Sequence, residues 1–160
     1  MSNTRIQRRM EALKASGRKA LIPYIVAGDP TPTVTVPAMH AIVEAGADLI
    51  ELGMPFSDPF ADGPVNQRGA ERAINSGMTL AGVLKTVSEF RKDDNDTPIV
   101  LMGYLNPVIA MGETIFCEAS AAAGVDGLLI VDMPPEEEGS LVQSAKTHGL
   151  DLIYLAAPTT

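Results

Sequence analysis

The sequence predicts an α/β fold built on a parallel β-sheet. Short apolar runs alternate along the chain with segments whose apolar residues recur at helical spacing. The apolar runs are continuous, which is typical of parallel strands covered on both faces. A Gly-x-Asp unit also recurs between a predicted helix end and an apolar run, at residues 46–48, 124–126 and 149–151. This repeat indicates that one βα unit is used several times.

Apolar spacing predicts six helices. In the first, Ile6, Met10 and Leu13 lie on one face, and Gly17 supplies a stop. Glycines also follow the second, fifth and sixth helices, where a left-handed residue is the usual cap. The predicted helices span residues 4–16, 33–45, 66–75, 80–92, 113–123 and 136–148.

Five short apolar runs predict strands between these helices. The first contains Pro23, which removes one ladder donor. The second contains a single acid, Glu51, and leads into a long loop rich in proline and aspartate. The predicted strands span residues 20–26, 47–53, 98–104, 127–131 and 152–156.

Two architectures hold such a pattern, an open doubly wound sheet and a (β/α)8 barrel. The glycine-rich phosphate motif of the doubly wound class is absent after the first strand, where Gly28-Asp29-Pro30 stands. The longest loop follows the second strand, and barrel active sites lie on such loops. Both observations favour the barrel.

Composition excludes several classes of function. The net charge of −8 gives no electrostatic footprint for nucleic acid or for an anionic membrane surface. No apolar run approaches the ~20 residues of a membrane span, and the polar N-terminus is not a secretory signal. The single cysteine, Cys117, forms no intrachain disulfide, and no metal-ligand spacing is present. We therefore expect a cytoplasmic protein with no metal site.

Glu51 is the most unusual residue, because an ionised carboxylate within a buried strand is costly. Burial raises the pKa of such a group toward neutrality, as general acid–base catalysis requires. Alternation puts Glu51 on the same side of its strand as Leu49 and Gly53, which is the interior side of a barrel. The alternative is an edge strand that leaves Glu51 in solvent.

The loop after this strand adds Asp58 and Asp62, each of which alone reads as a turn former. Because Asp62 follows the strand of Glu51, the two acids can form a carboxylate pair with split roles. Tyr104 ends the third strand and places a hydroxyl at the same end of the barrel, where the carboxyl ends of the strands lie. Packing is the commoner role for such a tyrosine. The remaining candidates are read as structural: loop acids Asp29 and Asp132, surface residues His40 and His148, and packed Cys117.

The stretch ELGMPFSDPFADGP at residues 51–64, with Gln67 after it, closely resembles the signature of the tryptophan synthase α subunit family. Shorter matches follow in the family's order over nearly the whole chain. They are Pro23-Tyr24, Gly28-Asp29-Pro30, Tyr104 with Asn106-Pro107, and Asp132-Met133-Pro134 with Glu137.

This resemblance implies a (β/α)8 barrel that needs no cofactor and cleaves indole-3-glycerol phosphate to indole and glyceraldehyde 3-phosphate. Glu51 matches the general acid–base that protonates the indole ring carbon, and Asp62 matches the acid that binds the indole N–H. The positions that match the lining of the indole pocket are Tyr24, Met102, Tyr104 and Leu129. The positions that match the face toward the β subunit of an α2β2 complex are Asp58, Pro59, Asn106 and Pro134.

The resemblance also implies an added N-terminal helix and eight barrel strands, of which this sequence holds five, so we expect residues 1–160 to form a single, incomplete barrel domain. The family barrel binds the substrate phosphate on loops after strands 7 and 8, which this sequence lacks. We therefore expect the 160-residue chain alone to be inactive and to self-associate through its open sheet edges. Two alternatives stay open: a non-catalytic fragment that keeps the loops for the β subunit, or another barrel enzyme acting on a phosphorylated sugar.

Overall fold

The computed structural model describes residues 4–133, 139–156 and 158. These residues form five strands: β1 (Tyr24–Val26), β2 (Ile50–Gly53), β3 (Ile99–Gly103), β4 (Gly127–Ile130) and β5 (Asp151–Ile153). The helices in the same ranges are α1 (Arg5–Ala15), α2 (Pro32–Glu44), α3 (Pro64–Asn75), α4 (Leu80–Phe90), α5 (Leu105–Met111), α6 (Glu113–Ala123) and α7 (Ser140–Thr147).

The five strands form one parallel sheet in the order β1-β2-β3-β4-β5. Every strand therefore pairs with its neighbour in the chain, and the sheet winds in one direction only. A doubly wound sheet reverses its strand order at a switch point, so this topology excludes that architecture for the described strands. One register row crosses the whole sheet through Tyr24, Glu51, Val100, Gly127 and Asp151.

The sheet buries side chains on both faces. Its outer face packs against the helices in a large core that includes Ile50, Leu101 and Leu128, together with Phe90 of α4. Its inner face carries a second cluster of Leu49, Val100 and Leu129, against which Ile6 and Met10 of α1 pack. Helix α1 therefore covers one end of the inner face, and the carboxyl ends of the strands lie at the other.

The Gly-x-Asp repeat explains how the amino ends of the strands are held. Its glycines, Gly46, Gly124 and Gly149, have φ of +105°, +91° and +72°, the left-handed region predicted for helix caps. The aspartate then fastens its strand to the preceding one. Asp126 N–H donates to Ile99 O at 2.9 Å, and Ile99 N–H donates to Asp126 Oδ2 at 2.8 Å.

Asp48 makes the same pair of hydrogen bonds with Leu21. Asp48 N–H donates to Leu21 O at 2.9 Å, and Leu21 N–H donates to Asp48 Oδ2 at 3.0 Å. Asp126 also accepts two guanidinium groups, from Arg5 Nη1 on α1 and from Arg91 Nη2 after α4, each at 2.8 Å. The carboxylate is only 5% exposed, so α1 is tied to the sheet by a buried ionic contact.

Three predictions about elements differ from the structure. The segment read as a loop at Asn106-Pro107 is helix α5, whose first N–H, that of Leu105, donates to Asp132 Oδ1 at 2.7 Å. Strand β1 was predicted from residue 20 but begins only at Tyr24. The side chains of Leu21 and Ile22 before it are 56% and 43% exposed. The helix predicted from residue 136 begins at Ser140 among the described residues, and residues 136–138 lie outside them.

The surface reading of the histidines was wrong. His40 is half-buried between α2 and α4, where its ring stacks on Phe90 with centroids 4.6 Å apart. His148 is also half-buried, with Nδ1 2.8 Å from Ser144 O. Cys117 is fully buried in α6, as expected of a small packed side chain. Across the described ranges, no helix combines the length and apolarity needed to cross a bilayer.

Candidate active site

Polar side chains collect at the carboxyl ends of β1, β2 and β3. Glu51 lies on β2 in the inner-face register row, paired with Tyr24 on one side and Val100 on the other. Residue alternation along β2 puts its side chain on the face of Leu49, which belongs to the inner cluster. The prediction of an interior position is therefore confirmed, and the solvated edge strand is excluded because β2 pairs on both sides.

The Glu51 carboxyl group is half-buried, and burial raises its pKa above the ordinary value of a glutamate. Over the part of the chain that the structure describes, no hydrogen bond or ion pair reaches this carboxyl group. With no donor to stabilise the ionised form, desolvation alone sets the direction of the shift. Such a group can hold and release a proton nearer neutral pH than a solvated glutamate does.

Asp62 reaches the same place from the loop after β2. Tyr104, which follows β3, donates its hydroxyl to Asp62 Oδ2 at 2.8 Å and accepts from Ala61 N–H at 3.0 Å. Burial, together with the hydrogen bond to Asp62, raises the pKa of Tyr104 to about 12. The phenol therefore stays protonated at neutral pH and holds the aspartate in place as a donor.

The loop itself is held by contacts on either side of Asp62. Gln67 on α3 donates Nε2–H to Asp62 O at 2.8 Å and to Pro59 O at 3.3 Å. The rings of Phe56 and Phe60 tilt against Tyr104 with centroids 5.4 and 5.2 Å away. Aromatic packing and backbone hydrogen bonds thus fix the loop that carries the acid.

Tyr24 places a second phenol between the two acids. Its ring lies over Gly53, where an added Cβ would come within 2.8 Å of the tyrosine Cζ. Only glycine leaves room for a ring at this approach. Burial, then the charges of Asp62 and Glu51, raise the pKa of Tyr24 above its ordinary value. Tyr24 is also the register partner of Glu51 on the neighbouring strand, so the phenol and the Glu51 carboxyl group belong to adjacent positions of the sheet.

An apolar wall stands beside these polar groups. Met102 and Leu129 are register partners on β3 and β4, and both belong to the inner-face cluster around Val100. Met102 and Leu129 face the same side of the sheet as Val100. Each lies two residues nearer the carboxyl end of its strand than the row that contains Val100 and Gly127. Met102 and Leu129 are thus neighbours on the inner face, while Tyr24 lies on β1 and Tyr104 directly after β3. That the four residues line one substrate pocket stays a prediction.

Three of the four residues predicted to face a partner are described, on the loop after β2 and on α5 after β3. Asp58 is exposed and accepts from Ser57 Oγ at 2.5 Å, and Pro59 is half-buried. Asn106 is exposed on α5. Pro134 lies outside the described residues. Two large apolar side chains are also exposed in these segments, Phe60 at 74% and Ile109 at 56%.

Sequence reasoning missed an ion pair beside the site. Asp29, read as a loop acid that bonds only backbone, accepts Arg72 Nε and Nη2 at 2.7 and 2.8 Å. Helix α3 is thereby fastened to the loop after β1, and no signal in the sequence links the two positions. Asp132 does bond backbone, as predicted. Among the residues that the structure describes, no group of three His, Cys, Asp or Glu side chains is placed to hold a metal ion.

Comparison with known proteins agrees with this arrangement. Residues 10–160 match the family model described as the tryptophan synthase alpha chain. A tryptophan synthase alpha chain of Laribacter hongkongensis is 63% identical over 156 residues, which is 98% of this chain and 59% of that relative. A second, of Thioalkalivibrio sulfidiphilus, is 61% identical over 157 residues, again 98% of this chain and 59% of the relative.

Solved structures give the fold. The crystal structure of tryptophan synthase subunit alpha from Legionella pneumophila str. Paris matches with a TM-score of 0.97 at 49% identity, over 99% of this chain and 61% of that one. The predicted barrel class is therefore confirmed, and the five strands keep the curvature of that protein. The chain spans about three fifths of the length of the relatives it matches. On the family model and this identity, the chain belongs to the tryptophan synthase alpha chain family.

Proposed function

We propose that the whole protein cleaves indole-3-glycerol phosphate to indole and glyceraldehyde 3-phosphate, and that residues 1–160 supply its two acidic groups. The observation that supports this most directly is the placement of Glu51 and Asp62. Glu51 lies on the inner face of β2 beside Tyr24, and Asp62 lies on the loop that follows β2, where Tyr104 holds it. Both therefore lie at one side of a singly wound parallel sheet, on the strand and loop positions where barrel enzymes carry out their chemistry. One acid is unpartnered among the described residues, and the other is fixed by a phenol.

In this proposal, Glu51 is the general acid–base. Its protonated form gives a proton to the ring carbon that bears the glycerol chain. The carbon–carbon bond to that chain then breaks, and its electron pair returns to the ring. The adjacent carbinol hydroxyl gives up its proton to the Glu51 carboxylate as that carbon becomes the aldehyde. A pKa raised by burial suits both transfers near neutral pH.

Asp62 accepts the indole N–H, whose charge develops as the ring carbon is protonated. A carboxylate aimed at this position stabilises the cationic intermediate, and it needs no reorganisation because Tyr104 and the loop already hold it. Tyr24, Met102 and Leu129 form the apolar side of the pocket, as expected for a flat aromatic ring. No part of this scheme requires a cofactor.

The test uses an eight-stranded chain in which residues 1–160 are followed by the C-terminal part of the Laribacter hongkongensis relative. Indole release from indole-3-glycerol phosphate is measured for this chain and for its Glu51→Gln variant. We expect the variant to lose activity by about 10²- to 10⁴-fold, the usual contribution of general acid–base catalysis. The matched control is Glu44→Gln, an exposed glutamate on α2. Retained activity in Glu51→Gln would exclude the acid–base role.

We further propose that the loop face binds a tryptophan synthase β subunit in the cytoplasm, as part of an α2β2 complex. Exposed Phe60 and Ile109, next to Asp58 and Asn106, supply an apolar centre with a polar rim. The test is titration of the β subunit of the same relative, followed by sedimentation velocity. Phe60→Ser is expected to weaken the complex at least tenfold, whereas Ile115→Ser on the exposed side of α6 leaves it unchanged. Equal effects of the two variants would contradict this docking face.

A further inference from the structure

The basic residues of this acidic chain are concentrated at one end of the molecule. The net charge is −8, yet six of the 12 Lys and Arg residues lie within the first 19 positions, with Glu11 as the single acid there. These positions form α1 and the segment that follows it, which cover the amino ends of the strands. This end is opposite the Glu51 site, so nothing in the proposed function accounts for the charge.

A cavity of about 480 Å³ opens between α1 and the amino ends of β2 and β3. Its volume suits a small anionic molecule rather than a bare ion. Ala12 and Leu13 of α1 give it an apolar side. Its charged lining consists of four arginines and two aspartates, which are Arg5, Arg8, Arg9, Arg18, Asp48 and Asp96.

Two of these guanidinium groups make only long ion pairs with the carboxylate of Asp48. Arg9 Nη1 and Arg18 Nη2 are 3.8 and 3.6 Å from Asp48, longer than a hydrogen bond. Asp48 Oδ2 is already used as the acceptor of Leu21 N–H. The side chain of Arg18 is 62% exposed. Both arginines therefore retain donors that can turn toward the cavity.

The shorter of the two ion pairs that Arg9 makes within the described residues is a weak competitor. Arg9 Nη2 donates to Asp96 Oδ2 at 3.0 Å, but the Asp96 side chain is 83% exposed. An ion pair so open to water contributes little. A dianion that contacts Arg9 and Arg18 together can displace the Asp96 carboxylate from Arg9. A monovalent anion would bind Arg9 no more strongly than Asp96 already does.

We propose that this cavity, hereafter the α1 cavity, binds the phosphate group of a small phosphorylated metabolite, with Arg9 and Arg18 as its forked donors. Guanidinium groups match the tetrahedral oxygens of phosphate in pairs, which lysine does not. The apolar wall of Ala12 and Leu13 lies against the organic part of the ligand. The site is independent of the cleavage reaction, since it lies at the other end of the strands.

The test titrates the 160-residue chain with inorganic pyrophosphate by calorimetry at constant ionic strength, with chloride as the reference anion. We expect saturable binding that weakens at least tenfold in Arg9→Gln and in Arg18→Gln. Arg68→Gln on α3, an exposed arginine outside the cavity, is the matched control and is expected to bind as the parent does. Amide chemical shifts of Ala12 and Ser16, which line the cavity, report that binding occurs there.

The variant Asp96→Asn separates this site from a general effect of charge. It removes the competing carboxylate, so we expect it to bind pyrophosphate more tightly, about two- to fivefold. Circular dichroism of each variant checks that the fold is kept. Absence of saturable binding to the parent chain, or an equal loss in Arg68→Gln and Arg18→Gln, would overturn the proposal.

Discussion

At the scale of single residues, Glu51 couples the stability of the chain to pH. Burial raises its pKa in the folded state above that in the unfolded chain. Its contribution to stability is therefore complete below the unfolded pKa and is lost as pH rises through the folded pKa. Glu51→Gln removes this loss, so we expect the variant to gain thermal stability over the parent as pH rises from acid to neutral.

Thermal unfolding followed by circular dichroism across this pH range measures the difference in Tm. Glu44→Gln on the exposed face of α2 is the control, and its difference from the parent should not follow the same curve. A Glu51→Gln difference that stays constant with pH would show that the carboxyl group is not desolvated in the folded chain.

The Tyr104 hydroxyl is a second residue with a measurable effect, because it both donates to Asp62 and accepts from Ala61. Tyr104→Phe keeps the ring against Phe56 and Phe60 and removes only these two hydrogen bonds. We expect a loss of about 1 to 2 kcal/mol in the free energy of unfolding. Urea unfolding measures this loss, and amide exchange at Ala61 should become faster in the variant.

Tyr154→Phe is the matched control, since Tyr154 is 37% exposed and follows β5 at the far side of the sheet. Unchanged exchange at Ala61 in Tyr104→Phe would mean that Gln67 and the aromatic packing fix the loop without the Tyr104 hydroxyl. The contribution of the phenol to the position of Asp62 would then be refuted.

At the scale of elements, Asp126 connects α1, the end of α4 and the pair β3–β4. It accepts from two guanidinium groups and from the Ile99 amide, and Arg91 beside it is 9% exposed. Asp126→Asn removes the buried carboxylate that both guanidinium groups contact, and Arg91 is itself buried. We expect a loss of about 3 kcal/mol or more in the free energy of unfolding.

Urea denaturation of Asp126→Asn against Asp93→Asn, an exposed acid in the turn before β3, checks this expectation. The control should change stability by less than ~0.5 kcal/mol. If the two variants were equally stable, the ionic contact would not be what fastens α1 to the sheet.

A helix or strand of this chain could be predicted from the sequence where the local pattern of residues determines it. It could not be predicted where a contact with a distant residue determines it. The left-handed glycines at 46, 124 and 149 follow from helix ends that the apolar period already marks. Helix α5 could not be predicted, because its first N–H is satisfied by Asp132, 27 residues further along the chain. Pro107, which signals a loop, is tolerated there because the first turn of a helix needs no donor from it.

At the scale of the whole molecule, alternation of helices and strands predicted the parallel sheet, and the absence of a phosphate motif favoured the barrel. The strand order then required the structure, because local pattern does not say which strands are neighbours. The same holds for the site. Glu51 is visible as an acid in an apolar run, but its position beside Tyr24 depends on the register of β1 and β2, and the bond between Asp62 and Tyr104 joins residues 42 positions apart.

The outer edges of the sheet make a final prediction about the 160-residue chain. Among the described residues, β1 pairs only with β2 and β5 only with β4. Large apolar side chains next to both edges are exposed, including Ile22 at 43% and Leu155 at 53%. Unpaired strand edges with apolar flanks are templates for association with another chain. We therefore expect self-association that increases with concentration in sedimentation velocity.

Ile22→Lys and Leu155→Lys place a charge beside one edge each, which natural sheets use to block pairing. Both positions are exposed, so the fold should tolerate the change. Each variant is expected to shift the chain toward monomer, and the double variant more so. Ile115→Lys on α6, where the side chain is 62% exposed away from both edges, should associate as the parent does. A parent chain that stays monomeric at all concentrations would mean that its edges are already covered, and the charges would then have nothing to disrupt.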